Sequence, residues 1–260
     1  MRIEYALVTG AASGIGARAV QRLREAGTEV IATDVSEKLH ARYASDPGVR
    51  TVVGDITDEA FVRELLAQAP RLDRVMHCAG IMPAGRVRDV GAAQARHVMR
   101  INYGGTLTLL DATLPHLRAQ PTPSQLVVMG SLTGYVPMQK LAAYSASKAA
   151  VNSYVEILAE EERAYGIHVL LVAPTAVRTP LLEQATGGPK FIGGLVGKAS
   201  GLLMVTPDDV LDATERALAR RPRLKGLIPP TPVITPGGGI ALAGRRVSRR
   251  FAWWATNLFN

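Results

Sequence analysis

Thr9-Gly10-Ala11-Ala12-Ser13-Gly14-Ile15-Gly16 stands directly after an apolar run, Tyr5 to Val8, and directly before an amphipathic one, Ile15 to Glu25. Glycine at these places permits a tight turn and lets backbone N–H groups approach a pyrophosphate at the positive end of a helix. A glycine triplet alone is an ordinary turn; a strand before it and a helix after it make it a dinucleotide-binding turn. Asp34 follows a second apolar run, Val30 to Thr33, where a carboxylate accepts hydrogen bonds from the adenosine ribose and repels a 2′-phosphate. Neither Ser13 nor the residues immediately after Asp34 offer a positive charge to offset that repulsion, so NAD(H) is favoured over NADP(H). The plainer reading of Asp34 is a solvated loop carboxylate or the N-cap of a following helix.

Outward from this turn, short apolar runs alternate with longer amphipathic ones. Thr51 to Val53, Val75 to Cys78, Leu126 to Met129 and Val169 to Ala173 read as further buried strands. Glu59 to Gln68, Ala92 to Leu117 and Ser145 to Tyr165 read as helices. Near-continuous apolar strands separated by helices imply an α/β fold, a Rossmann-type doubly wound parallel sheet covered on both faces. Beyond Pro174 the pattern changes. Leu181 to Thr206 is glycine-rich and apolar and reads as a lid, and Thr206-Pro207-Asp208-Asp209 caps a helix running to about Arg220. A short strand is expected at Gly226 to Ile228, then a Pro/Gly-rich connector to Gly239. Residues 1–239 are read as one domain and 240–260 as a basic amphipathic helix.

Tyr144-Ser-Ala-Ser-Lys148 carries the chemistry. Residues four apart are neighbours on a helix face, so Lys148 can favour the Tyr144 phenolate, a proton acceptor. Working near neutrality requires the phenol to fall roughly 2 to 3 units from about 10. One ammonium at about 4 Å supplies on the order of 4 kcal/mol at an effective dielectric near 20. A metal is not needed, and His77, His97, His116 and His168 are too scattered to suggest one.

Composition bounds the rest. The 260 residues, 47% of them hydrophobic, suffice for a sizeable core, and no apolar run approaches the roughly 18 residues of a membrane span. The first strand begins almost at residue 1, so no signal peptide is expected. Cys78 is the only cysteine, which excludes an intrachain disulfide and fits a reducing, cytoplasmic location. Nine basic residues and no acidic ones lie from Arg216 onward, so the net charge of +8 leaves residues 1–215 at a formal −1. The basicity belongs to a tail, and no nucleic-acid recognition motif accompanies it.

The glycine pattern, Asp34, Asp55, Asn102, Ser131, Tyr144 and Lys148, in this order, resemble the short-chain dehydrogenase/reductase family of the classical single-domain type, over about residues 4 to 180. The resemblance implies a seven-stranded sheet of order 3-2-1-4-5-6-7, hydride transfer at a nicotinamide, and a homodimer or homotetramer built on the long helices after strands four and five. It implies that Tyr144 is the general acid/base, that Lys148 lowers its pKa and holds the nicotinamide ribose, and that Ser131 bonds the reacting oxygen. Asn102 would distort its helix and hold a water in a proton relay towards Lys148. The cofactor would be contacted by Gly10, Ser13, Gly14, Ile15 and Gly16, by Asp34, by Asp55 at the adenine amino group, by Ala79 and Gly80 at the adenosine ribose, by Thr179 at the carboxamide, and by Ile56, Tyr144, Lys148, Pro174 and Val177. Three departures stand out: His77-Cys78-Ala79-Gly80 in place of Asn-Asn-Ala-Gly, Pro174-Thr175 in place of Pro-Gly, and no C-terminal Asp-Gly-Gly segment.

The segment after Thr179 supplies Leu181, Leu182, Phe191, Ile192, Leu195, Val196, Leu202, Leu203 and Met204, which suggests a pocket for a lipophilic secondary alcohol or ketone, or lid residues that merely pack on the body. In the tail, Ile240, Val247, Phe251, Trp254 and Leu258 form one helical stripe, with Arg245, Arg246, Arg249 and Arg250 away from its centre. That pattern serves either docking on protein or a peripheral contact with an anionic membrane. The non-enzymatic alternative is a nucleotide-binding sensor or scaffold, which predicts damaged proton-handling residues.

Overall fold

The computed structural model describes residues 1–69, 71–184, 204–219 and 233–234. Strands β1 (Tyr5–Thr9), β2 (Glu29–Asp34), β3 (Val49–Val53), β4 (Arg74–His77), β5 (Ser124–Met129) and β6 (Ile167–Ala173) form a parallel sheet with β9 (Val233–Ile234), in the order β3-β2-β1-β4-β5-β6-β9. Between them run α1 (Gly14–Glu25), α2 (Lys38–Tyr43), α3 (Glu59–Ala67), α4 (Val87–Met99), α5 (Gly105–Arg118) and α6 (Ala142–Glu161). The doubly wound parallel architecture expected from the alternating runs is therefore present.

Two cores flank the sheet because successive strand residues point to opposite faces. Leu7, Leu126, Val128, Val169 and Leu171 pack with Val62 and Leu65 of α3, Leu109 and Leu114 of α5, and Val151 and Val155 of α6. Their neighbours Ala6, Val8, Val127, Met129, Leu170 and Val172 face Ala19 and Val20 of α1, Leu39 of α2, and Val210 and Leu211 of α8 (Pro207–Ala219). Thr206 caps α8 as its sequence suggests: its backbone N–H donates to Asp209 Oδ2 at 2.8 Å, and its Oγ1 accepts from the Asp209 N–H at 3.2 Å.

Several boundaries differ from the sequence reading. The single helix expected at 92–117 begins at Val87, bends at Gly91 (φ 69°), and is interrupted by a wide π-turn at Arg100–Gly104. Helix α2 went unread, because six residues are too few to display a helical period. The seventh sheet strand is Val233–Ile234, inside the stretch taken for a connector: Val172 pairs with Val233 and Ala173 with Ile234. Pro232 and Pro236 bracket it, and prolines at a two-residue edge strand hide its signal. The strand expected at 226–228 lies outside the described residues. So does most of the lid, of which α7 (Pro180–Gln184) and β8 (Met204–Val205) are described; β8 pairs with β7 (Ala176–Val177). The basic tail, 240–260, is also outside them. Among the described residues, no helix is long and apolar enough to cross a membrane.

One buried carboxylate ties the start of the sheet together. Asp73 accepts the Glu4 and Tyr5 N–H groups at 2.8 and 3.0 Å and the Arg71 Nε–H at 2.9 Å. Burial raises its pKa, but the Arg71 bond and the two backbone bonds outweigh this and hold it below the ordinary value. Its contribution is thus present above the ordinary carboxylate pKa near 4 and is lost as pH falls through the lower folded value. Asp73→Ala is expected to cost about 2–3 kcal/mol in urea unfolding at neutral pH, a difference that shrinks in acid; a loss under about 0.5 kcal/mol would refute the role.

Candidate active site

The glycine turn is shaped by contact. Gly10 has φ 68°, and a Cβ there would stand 2.7 Å from the Ala79 nitrogen; one on Gly16 would stand 2.2 Å from Gly10 O. The turn can thus lie flat on the end of β4 while α1 starts immediately above it. Ser13 is the α1 N-cap, and the first intrahelical bond runs from the Ala17 N–H to Ser13 O at 3.1 Å. The N–H groups of Gly14, Ile15 and Gly16 are consequently left for an anion. Asp34, at the end of β2, accepts the Ala12 N–H and the Ser36 N–H, both at 3.0 Å. Tyr43 of α2 donates its hydroxyl to Ala11 O at 2.8 Å, bracing the turn from its other side. Asp55 accepts the Thr57 N–H at 2.8 Å and lies 3.7 Å from the Arg100 guanidinium. Ile56 is buried against the backbone of Gly105, so its side chain serves the core.

Across the C-terminal ends of β4, β5 and β6 lies a cleft of about 1080 Å³, open mouth included. Ile15, Gly80, Ser131, Tyr144, Lys148, Pro174, Val177 and Thr179 line it, together with Cys78. Ser131 follows β5 and caps a 3-10 turn, accepting the Thr133 N–H at 3.2 Å. Tyr144 and Lys148, one turn apart near the start of α6, are both buried. Thr179 reaches over the start of α1, since a Cβ on Gly14 would touch its side chain at 3.2 Å. Asn102 lies behind the cleft, fully buried in the π-turn. Its Oδ1 accepts the Ile81 N–H at 2.8 Å, and its Nδ2 donates to Ile81 O at 2.9 Å and Ser147 Oγ at 3.0 Å. The helix distortion expected around it is present, and its amide is occupied with protein partners.

Burial dominates the electrostatics of both groups. Burial pushes the Tyr144 hydroxyl up to about 12, a hydrogen bond with Ser131 acting in the opposite direction. Lys148 donates to Met129 O at 2.8 Å, and burial pushes it down to about 8. One N–H of the ammonium goes to a strand carbonyl, and desolvation is the largest influence on the Tyr144 hydroxyl. Cys78, pushed up to about 12 by burial, is a protonated thiol at neutral pH.

The residue that supports Ser131 escaped sequence reasoning, as did Tyr43. Asn152, four residues past Lys148, donates to Ser131 O at 2.9 Å and accepts the Ser131 N–H at 3.3 Å. Gly130 and Gly134 make room for it, as a Cβ on either would lie within 2.5 Å of its amide. Its i+4 spacing on the Tyr144/Lys148 face was the available signal.

A family model described as short chain dehydrogenase matches residues 4–189. The chain belongs to the short-chain dehydrogenase family. It is 32% identical to L-fucose dehydrogenase of Bos taurus over 184 residues, covering 68% of this chain and 67% of that protein. It is 29% identical to the probable oxidoreductase EphD of Mycobacterium tuberculosis over 239 residues, 85% of this chain but only 40% of EphD. Among solved structures, an NADH complex of 3-ketoacyl-(acyl-carrier-protein) reductase from Brucella melitensis superposes with a TM-score of 0.74 at 26% identity, covering 90% of this chain and 97% of that one. In this short-chain dehydrogenase the unusual His77 is buried at the end of β4, where burial and the Lys148 charge push it down to about 3.

Proposed function

We propose that the chain is an NAD-dependent oxidoreductase that interconverts a lipophilic secondary alcohol and its ketone by hydride transfer, with Tyr144 as general acid/base. The observation that carries this reading is the shared cleft. Ser131, Tyr144 and Lys148 line it with Ile15 at the start of α1, and Met82, Met138, Leu141, Leu181 and Leu182 give it an apolar wall around the Tyr144 ring. A nicotinamide dinucleotide, when bound, supplies or accepts the hydride. The turn of Gly10, Ser13, Gly14, Ile15 and Gly16 holds its pyrophosphate, Asp34 the adenosine ribose, and Asp55 the adenine. Ala79, Gly80, Pro174, Val177 and Thr179 line the remainder, and Lys148 binds the nicotinamide ribose. Ser131 bonds the substrate oxygen, and Tyr144, protonated at neutral pH, hands its proton to that oxygen as a ketone is reduced.

The apolar wall favours a lipophilic substrate over a sugar such as the one in the name of the bovine relative. The similarity to a ketoacyl reductase bound to NADH supports carbonyl reduction with this nucleotide. Exposed Tyr154 and Ile157 on α6 support assembly as a homodimer or homotetramer through the long helices. Lipophilic secondary alcohols and ketones should be screened with NAD(H) and NADP(H) by absorbance of the reduced cofactor. Nucleotide binding without turnover of any of them would favour a silent sensor. Asp34→Ser removes the charge that repels a 2′-phosphate and is expected to shift the ratio of kcat/KM values towards NADPH by at least about tenfold. An unchanged ratio would refute the role given to Asp34.

A further inference from the structure

His77 sits between two hydroxyls, 2.8 Å from Thr9 Oγ1 through Nδ1 and 2.8 Å from Thr106 Oγ1 through Nε2. The proton positions follow from their neighbours. Thr106 Oγ1 donates to Asn102 O at 2.6 Å, because a carbonyl only accepts. Its hydroxyl therefore receives the ring N–H, and His77 is the Nε2–H tautomer. Nδ1 then accepts the Thr9 hydroxyl hydrogen, and Thr9 Oγ1 in turn receives the Ala79 N–H at a longer 3.4 Å.

The bonds close a ring. From Ala79 they run through Thr9, His77 and Thr106 to the Asn102 carbonyl, and the Asn102 amide returns to both backbone groups of Ile81. Residues 79 and 81 are thus gripped on either side of Gly80. A Cβ on Gly80 would meet Asn102 Oδ1 at 3.1 Å and the Lys148 nitrogen at 3.7 Å. Gly80 is therefore a piece of cleft wall that lies against the ammonium.

We propose that His77, held as its neutral Nε2–H tautomer between Thr9 and Thr106, is a positioning residue that fixes Gly80 against Lys148 and so shapes the cofactor wall. The proposal rests on the reading that the cleft binds a dinucleotide. A neutral imidazole suits the place because it has one donor and one acceptor for two hydroxyls already oriented by Asn102 and Ala79. An imidazolium would aim a second N–H at the Thr9 oxygen and leave the Thr9 hydroxyl hydrogen without its acceptor. Lys148 is the charge acting on the ring, and it opposes that protonation.

Two measurements test this. In 15N-histidine NMR of the unmodified protein, His77 is expected to stay neutral and Nε2-protonated from about pH 5 to pH 9. An Nδ1–H tautomer, or titration within that range, would overturn the proposal. NADH affinity is then measured for Thr9→Val, Thr106→Val and the double variant. Each single change is expected to weaken binding on the order of tenfold, as for one buried hydrogen bond. The double variant should lose little more, because both changes break the same path. Unchanged affinity in the single variants, or a double loss of roughly a hundredfold, as independent sites would give, refutes the coupling. Should a valine variant fail to fold, the NMR result decides alone. Failure of the wild type to bind NADH would instead overturn the dinucleotide reading, and the cofactor role of His77 with it.

Discussion

Tyr144→Phe is expected to lower turnover at least about a hundredfold while leaving NADH affinity within about threefold, since a positioned acid/base contributes roughly 10² to 10⁴ to rate. The change removes only an oxygen. The ring packs with Met82, Leu141 and Leu182 in a small apolar cluster, which phenylalanine fills equally well, so unfolding midpoints should barely move. The hydroxyl, pushed up to about 12, carries its proton at neutral pH and is ready for reduction. Alcohol oxidation instead needs the phenolate, so its rate should climb with pH across roughly 7 to 10. Turnover that survives the substitution, measured by absorbance of the reduced cofactor, would refute the assignment.

Lys148→Met should give a protein that is more stable and nearly inactive. Folding lowers the Lys148 pKa from 10.5 to about 8, so the folded state disfavours its charge. The sign follows by linkage: the cost is complete below about pH 8 and fades as pH rises towards the ordinary value, where the unfolded chain also loses its proton. Removing the charge at pH 7 relieves about 3 kcal/mol. Losing the bond to Met129 O returns about 1 kcal/mol. A net gain of about 1–2 kcal/mol in urea unfolding at pH 7 is expected, with a smaller gap at about pH 9.5. Turnover should fall at least about a hundredfold, the low end for loss of a group that supports proton transfer. A variant less stable than wild type at pH 7, or a gap that does not change with pH, would refute this account. That pair of outcomes would mark a lysine that lowers stability in return for chemistry.

Much of the site was legible because its signals are local. The Thr9 to Gly16 turn declares itself by the strand before and the helix after, and Tyr144 and Lys148 by one helical turn. The π-turn at Arg100–Gly104 was foreseeable only through resemblance, since nothing in Ile-Asn-Tyr-Gly-Gly marks a widened turn to a reading of periodicity. Asn152 and Tyr43 were missed because their partners, Ser131 and Ala11, are 21 and 32 residues away in sequence. The short strand Val233–Ile234 carries no pattern of its own and exists through its pairing with β6.

The sequence by itself determined the alternation of buried strands and helices, the glycine turn between β1 and α1, and the placing of Tyr144 and Lys148 one helical turn apart, since each depends on residue types a few positions apart. Tertiary structure alone decided where the charges and protons lie. Burial raises Tyr144 and lowers Lys148, and the Lys148 ammonium turns to Met129 O. The tautomer of His77 is set by Thr9 and Thr106 from two other elements. Desolvation and hydrogen-bond direction belong to the packed environment, and no stretch of chain carries that environment until the sheet has assembled around it.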